Sequence, residues 1–226
     1  YKTVVPSGFL REIFLEYDVP AEVIPNIINM ERFRPAEEEK VSERFSIIVT
    51  RNLEPIYGID VAIRAMKEVL IAVPNALLLI AGSGPQEGEL RALTRDLGLE
   101  ESVKFVGRLN GEEIVSFYQS ANVMLNPTTI DNMPNSVLEA LSCGVPVVST
   151  NVGGVPFMVK HNYTALLVNA GASDQMAAAI VRIYNDEPLR NNLVTAGIEE
   201  VSQYTWPQVR LLWLNLYREA AGGGVL

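Results

Sequence analysis

The sequence predicts an α/β protein built on a doubly wound, mostly parallel, six-stranded sheet. Three observations predict it. Six short runs, residues 45–50, 76–81, 103–106, 123–126, 146–149 and 165–168, are apolar almost throughout, as strands buried on both faces are. Segments with helical spacing of apolar residues separate most of them, which calls for right-handed crossovers and helices on both faces. The first five runs also end in glycine, arginine or polar loops, which parallel strands would gather on one edge.

The elements follow in order. Residues 1–5 form a β-like run. Ser7 caps a short helix with Phe9, Leu10, Ile13 and Phe14 on one side, and Val23 and Ile24 lead to a turn at Pro25 and Asn26. Residues 31–43 are rich in charge, contain Pro35, and read as a linker. The strand at 45–50 ends in Arg51 and Asn52, and a helix at 60–73 follows through Val61, Ile63, Ala65, Met66 and Val69. The strand at 76–81 ends in Gly82, Ser83, Gly84 and Pro85, ahead of a charged amphipathic helix at 86–97. The strand at 103–106 ends in Gly107 and Arg108, ahead of a helix at 112–120. Strands at 123–126, 146–149 and 165–168 complete the sheet, the fifth leading into Gly153 and Gly154. Helices are expected at 173–185, 188–203 and 206–221, and the tail 222–226 is expected to fray.

The stretch 131–144, DNMPNSVLEALSCG, is where chemistry concentrates. Pro134 suits the first turn of a helix, Asn132 suits a cap or a left-handed residue before it, and Gly144 with Pro146 marks the end. Such a helix presents the Asn135 and Ser136 amides at its N-terminus, where backbone N–H groups lack internal partners and anions bind. The dipole adds only about 0.3–1 kcal/mol, so other groups must help. Asp131 stands before the helix and Glu139 within it. That spacing suits a diphosphate at the helix end, one carboxylate near a sugar and the other near a ribose. It equally suits a capped helix with one loop Asp and one solvated Glu, and Arg51 and Arg108 taken singly read more readily as surface cations. The glycine loop at 82–85 lacks the third glycine of a dinucleotide fingerprint, and no glycine loop is followed by Lys-Ser or Lys-Thr.

Composition narrows the function classes. A formal charge of −9 argues against nucleic acid as a partner. One cysteine, Cys143, permits no internal disulfide, and with one histidine, His161, there is little material for a zinc site or a Cys–His pair; no metal is expected. No apolar run approaches 18 residues. The chain starts at Tyr1 rather than Met, which reads as a fragment or processed product.

Taken together, these residues resemble the C-terminal, donor-binding half of a GT-B glycosyltransferase of the retaining group 1 (family four) class. The matching pieces are Val23 to Asn26 with Phe33; Thr50 to Leu53 with Gly58; Ile80 to Pro85; Val106 to Leu109; Asn126 and Pro127; the 131–144 stretch; and Val145 to Ser149 with Gly153 to Pro156. The resemblance covers roughly residues 20–190. It implies a Rossmann-like domain at 45–205, preceded at 1–44 by the end of the N-terminal half and the interdomain linker, and followed at 206–226 by a crossover helix and tail. It implies a nucleotide sugar as donor substrate, no other cofactor, and retaining transfer without a required metal. By the resemblance Arg51, Asn135 and Ser136 hold the diphosphate. Gly82, Gly84, Gly107 and Arg108 border the base and ribose, Glu139 binds the ribose hydroxyls, and Asp131 stands near the transferred sugar; Asp131 and Glu139 are the paired carboxylates.

Two positions depart from the family: Asp131 stands where Glu is usual, and Tyr57, before Gly58, where Lys is usual. Phe157 also stands where an acidic residue is common. The acceptor-binding N-terminal half is expected to be missing, so the chain is expected to bind donor without turnover. The last helix carries Leu211, Leu212, Trp213, Leu214, Leu216 and Tyr217 and is expected to be partly exposed, or covered by a second copy in a homo-oligomer. The implied compartment is the cytoplasm, with the full-length protein peripheral at the inner membrane as a further option. A nucleotide-sugar epimerase of the same fold and a non-enzymatic or decayed nucleotide-binding module are the alternatives.

Overall fold

The computed structural model describes residues 2–37 and 43–221. The first residue of the opening run, residues 38–42 of the charged stretch and the expected fraying of 222–226 lie outside the described residues. The chain opens with β1 (Thr3–Val5), α1 (Gly8–Glu16) and β2 (Ala21–Val23). β1 and β2 pair in parallel as a separate two-stranded sheet. The sequence gives no sign of this second strand, because three residues are too few to show an alternation.

Six strands form the main sheet: β3 (Phe45–Thr50), β4 (Ala76–Ala81), β5 (Val103–Gly107), β6 (Val123–Asn126), β7 (Val147–Thr150) and β8 (Leu166–Val168). All neighbours run parallel, in the order β5-β4-β3-β6-β7-β8. The chain therefore builds outward from β3 to β5, returns to the centre at β6, and builds outward the other way. The reversal lies between β3 and β6, and the crevice beyond their carboxyl ends is where such sheets take ligands. The crossover helices are α2 (Ile59–Ala72), α3 (Glu87–Asp96), α4 (Gly111–Gln119) and α5 (Asn135–Ser142); α6 (Ser173–Asn185) follows the last strand, β8. α7 (Glu187–Val201) and α8 (Trp206–Ala220) close the chain.

Two cores flank the sheet. On one face β3 and β4 side chains such as Ile47, Val49, Leu78 and Ile80 pack with Ile63 and Met66 of α2 and Met176, Ile180 and Ile183 of α6. On the other, Ile48 and Met124 pack with Val137, Leu138 and Leu141 of α5, Tyr118 of α4, and Ile28 and Phe33. Each fully buried aliphatic side chain contributes about 1.5–3 kcal/mol before ordering costs. Phe33 lies in the charged stretch and is nonetheless buried, with its carbonyl accepting a hydrogen bond from the Ser142 hydroxyl.

The start of α5 differs from the sequence reading. Pro134 is the cap residue itself (φ −66°, ψ 113°) rather than the first helical residue, and no side chain caps the helix. Asn132 neither caps it nor adopts a left-handed conformation; its side-chain oxygen accepts from the Ser7 hydroxyl instead, tying the loop to α1. On α8, Val209 and Leu216 are buried with Ile24, whereas Leu211, Leu212, Leu214 and Tyr217 are exposed.

Candidate functional site

The site is assembled from the last residues of β3 and β6 and the first turn of α5. Strand alternation puts Ile48 and Met124 on the α5 face, so Thr50 and Asn126 point the same way two residues later. Asn126 pairs in register with Ser149 of β7 and donates to its hydroxyl at 3.0 Å. Its side-chain oxygen then faces the crevice and accepts both Nε and Nη2 of Arg51, at 3.0 and 2.8 Å. Nη2 of Arg51 also pairs with the Asp131 carboxylate, and the guanidinium lies 5.2 Å above the Tyr57 ring. The Arg51 and Asp131 side chains are only 12% and 13% exposed. A charge this far from water needs a partner, and these two supply one another's. Burial pushes the Asp131 carboxyl up from its ordinary value, while the Arg51 guanidinium and the Asn132 amide pull it back. The ion pair was not legible in the sequence, which assigns the two residues to different parts of a ligand.

Glu139 is held separately. The Tyr118 hydroxyl donates to its Oε2 at 2.8 Å and accepts from the Thr50 hydroxyl at 2.8 Å. Burial pushes the Glu139 carboxyl up; the Tyr118 bond, Arg32 and Arg51 oppose that. Burial and the neighbouring Glu139 charge put the Tyr118 hydroxyl well above the usual phenol range.

At the head of α5 the first N–H to find a helical acceptor is that of Val137, on the Pro134 carbonyl at 3.1 Å. The Asn135 and Ser136 amides lie before it. The Asn135 side-chain oxygen accepts from Asn26 at 3.0 Å, and Asn26 also donates to the Met133 carbonyl, so the turn is braced from outside. Among the described residues Ser136 Oγ is a buried side-chain oxygen without a hydrogen-bond partner.

Two adjoining clefts share Thr50, Arg51, Asn52 and Glu139. One, of about 520 Å³, continues to Gly82, Arg108 and Tyr118. The other, of about 730 Å³, continues to Tyr57, Asp131, Asn135 and Ser136. The structure thus brings Arg51, Gly82, Arg108 and Glu139 together on one side, and Arg51, Asp131, Asn135, Ser136 and Glu139 on the other. Gly84 and Gly107 line neither cleft. A Cβ on Gly84 would stand 2.4 Å from the Leu53 carbonyl oxygen, and one on Gly82 (φ +150°) 1.9 Å from that of Arg51. These glycines let adjacent strand ends touch.

Sequence reasoning missed Tyr118, Thr50 and Asn126. Tyr118 sits among apolar helix residues and reads as core; Asn126, a polar residue ending an apolar strand just before Pro127, carried the one usable signal. Cys143 is buried and its thiol is pushed up to about 12 by burial and Glu139, which makes it a packing residue. His161 accepts from the Leu167 amide through Nδ1 at 2.9 Å, away from the clefts. Among the described residues no group of three His, Cys, Asp or Glu side chains is placed to hold a metal, and no helix is long and apolar enough to cross a membrane.

The family model for group 1 glycosyl transferases matches residues 30–200. The chain belongs to that family. Its sheet and crevice are those of the family's Rossmann-like GT-B domain, on the C-terminal side of the two-domain enzymes. The chain is 32% identical over 231 residues to an uncharacterised glycosyltransferase of Methanocaldococcus jannaschii, covering 96% of this chain and 59% of that protein. It is 31% identical over 219 residues to a GDP-mannose-dependent α-(1-6)-phosphatidylinositol monomannoside mannosyltransferase of Mycobacterium tuberculosis, covering 88% and 57%. The fold matches that of Anabaena HepE, solved with UDP and glucose, at a TM-score of 0.84 and 20% identity, covering 97% of this chain and 62% of that one. The chain spans a little under 60% of the length of these two curated relatives.

Proposed function

We propose that this group 1 glycosyltransferase domain binds the donor, a nucleoside diphosphate sugar, across the two clefts, for retaining transfer to an acceptor. The observation that carries the reading is the buried, unpartnered Ser136 Oγ. It lies in the first turn of α5, in the wall shared with Arg51 and beside two amides that precede the first helical hydrogen bond. A diphosphate there takes the hydroxyl and both amides, and the helix end favours its charge. The base lies along Gly82 and Arg108, the ribose on Glu139, and the sugar toward Asp131. GDP-mannose, in the Mycobacterium relative's name, is a nucleoside diphosphate sugar, and UDP, in the HepE structure, is a nucleoside diphosphate; both suit the clefts read this way.

Arg51 reaches the diphosphate by exchanging its Asp131 partner for phosphate oxygens while Asn126 keeps hold of its Nε edge. Asp131 then loses the counter-charge that opposes its burial, its carboxyl moves further up, and the protonated form can donate to a sugar hydroxyl. As the bond from the sugar to the diphosphate breaks, the charge left on phosphate is met by Arg51 and the α5 amides. No metal is needed for that stabilisation. Tyr57 in place of the family's lysine removes one cation from the site and leaves Arg51 as the main one.

Calorimetric titration with UDP, GDP and ADP tests the reading. Binding of one of them at micromolar to millimolar affinity, without sugar transfer by the isolated 226-residue chain, is the expected result. Failure to bind any of the three favours a decayed module, and turnover by this chain alone would contradict the assignment of acceptor contacts to a further domain.

A further inference from the structure

We propose that Tyr118 is a positioning residue: its hydroxyl fixes the Glu139 carboxylate at the crevice, and its ring braces that arrangement against Phe33. The inference rests on the reading of Glu139 as the ribose carboxylate.

The geometry is that of a clamp. Tyr118 is fully buried on α4, Thr50 ends β3, and Glu139 lies on α5. One hydroxyl joins all three, accepting from Thr50 and donating to Glu139, each at 2.8 Å. These elements meet where the strand order reverses. The ring stands edge-on to Phe33, with centroids 6.1 Å apart and planes at 73°. Phe33 is in turn fixed to α5 through the Ser142 hydroxyl, and its neighbour Arg32 lies 5.1 Å above its ring and donates to the Gly111 carbonyl at the start of α4. A phenylalanine would fill the same space and keep the edge-on contact. The hydroxyl is therefore superfluous to packing, and its two bonds account for its presence.

Other charged or titratable groups face Glu139: Arg51 from beyond β3, Arg32 from the Phe33 segment, Arg108 across the cleft, and Cys143 one turn along α5. Among the described residues Tyr118 alone is in direct hydrogen-bond contact with the carboxylate. A carboxylate on a side chain with three rotatable bonds, part-buried and without that donor, has several rotamers open to it and one that meets a ribose. The donor selects one and stabilises the charged form that accepts ribose hydroxyls.

Two measurements on the full chain test the proposal. The first needs no ligand: the carboxyl carbon of Glu139 is titrated by NMR in the wild type and in Tyr118→Phe. Loss of the donor should raise the midpoint, and an unchanged midpoint overturns the clamp. The second compares dissociation constants for whichever of UDP, GDP or ADP binds and for the 2′,3′-dideoxy form of the same nucleotide. Tyr118→Phe should weaken the ribose form by about threefold to tenfold, the size of one hydrogen bond, and leave the dideoxy form unchanged. Glu139→Gln should lose the ribose preference, and adding Tyr118→Phe to it should change nothing more. If Tyr118→Phe keeps the preference that Glu139→Gln loses, the clamp fails while the ribose reading stands. If no nucleotide binds the wild type, the functional reading fails and the ligand-free titration still decides the clamp. If Tyr118→Phe does not unfold cooperatively, Thr50→Val cuts the other bond of the same hydroxyl. It should raise the midpoint in the same direction by less, and no change overturns the proposal.

Discussion

The two faces of the sheet are made from the same strands and are used differently. Facing α2 and α6, the strand residues Ile47, Val49, Leu78, Ile80, Val123, Leu125 and Val148 are apolar, and the polar Thr150 that ends β7 is buried and turned inward onto the Thr128 carbonyl. Facing α4 and α5, the residues are apolar at Ile48, Met124 and Val147 but turn polar in the last layer, at Thr50, Asn126 and Ser149. One face therefore supplies stability alone. The other carries the same kind of core beneath a single polar layer, and that layer holds Arg51 and, through Tyr118, Glu139. The difference between packing and binding is here a matter of one residue's depth along each strand.

Mutations that separate the two faces test this contrast. The largest effect is expected at Met66, fully buried against the first face. Met66→Ala should cost about 2–5 kcal/mol in denaturant unfolding, yet leave nucleotide affinity per folded molecule unchanged. A matching loss of affinity would show that the faces are coupled. Asp131→Asn acts in the polar layer and is the second largest. Removing one charge from the nearly enclosed pair should cost about 1–3 kcal/mol of stability and tighten binding of a nucleoside diphosphate, because Arg51 is released. Weaker binding would place Asp131 on the diphosphate side of the site.

Ser136→Ala comes next. It removes a hydroxyl with no internal partner, so stability should hold or rise slightly, while affinity should fall by about 0.5–1.5 kcal/mol in a calorimetric titration. Loss of stability in its place would mean that the hydroxyl serves the fold. The smallest effect is in pH dependence. The Glu139 carboxyl lies above its ordinary value in the folded chain, chiefly through burial. Its contribution to stability is thus complete below the ordinary glutamate value and is lost as pH rises through the raised one. Glu139→Gln does not titrate, so its melting temperature relative to wild type should climb by a few degrees between pH 4 and pH 7. A flat difference would remove burial as the cause.

Much of the fold was legible because the strands are buried on both faces and so read as unbroken apolar runs. The predicted and observed ranges of the first two, 45–50 and 76–81, coincide. The alternation with helices implied parallel strands, but where their order reverses, between β3 and β6, is visible only in the structure. What escaped depends on depth and on partners distant in sequence. Phe33 belongs to a charged stretch, and only the structure shows that it fills space beside Tyr118. Tyr118 has the spacing of a core residue and is one; its hydroxyl bond to Glu139 spans 21 positions, which no local pattern encodes. The placement of Asn135, Ser136 and Glu139 together beside a cleft was legible because one short helix carries all three. The partnership of Arg51 with Asp131, 80 positions apart, was not.

The close approaches at Gly82 and Gly84 bear on how relatives of this chain can be compared. Each is barred to larger residues by a backbone carbonyl, with or without a nucleotide present. A lineage that abandoned catalysis would remain under pressure to keep both, because losing either would force the strand ends apart. Glycines at these positions thus record ancestry of the fold. Evidence that a relative still works has to be sought in the side chains whose loss the fold would tolerate, Ser136 first among them.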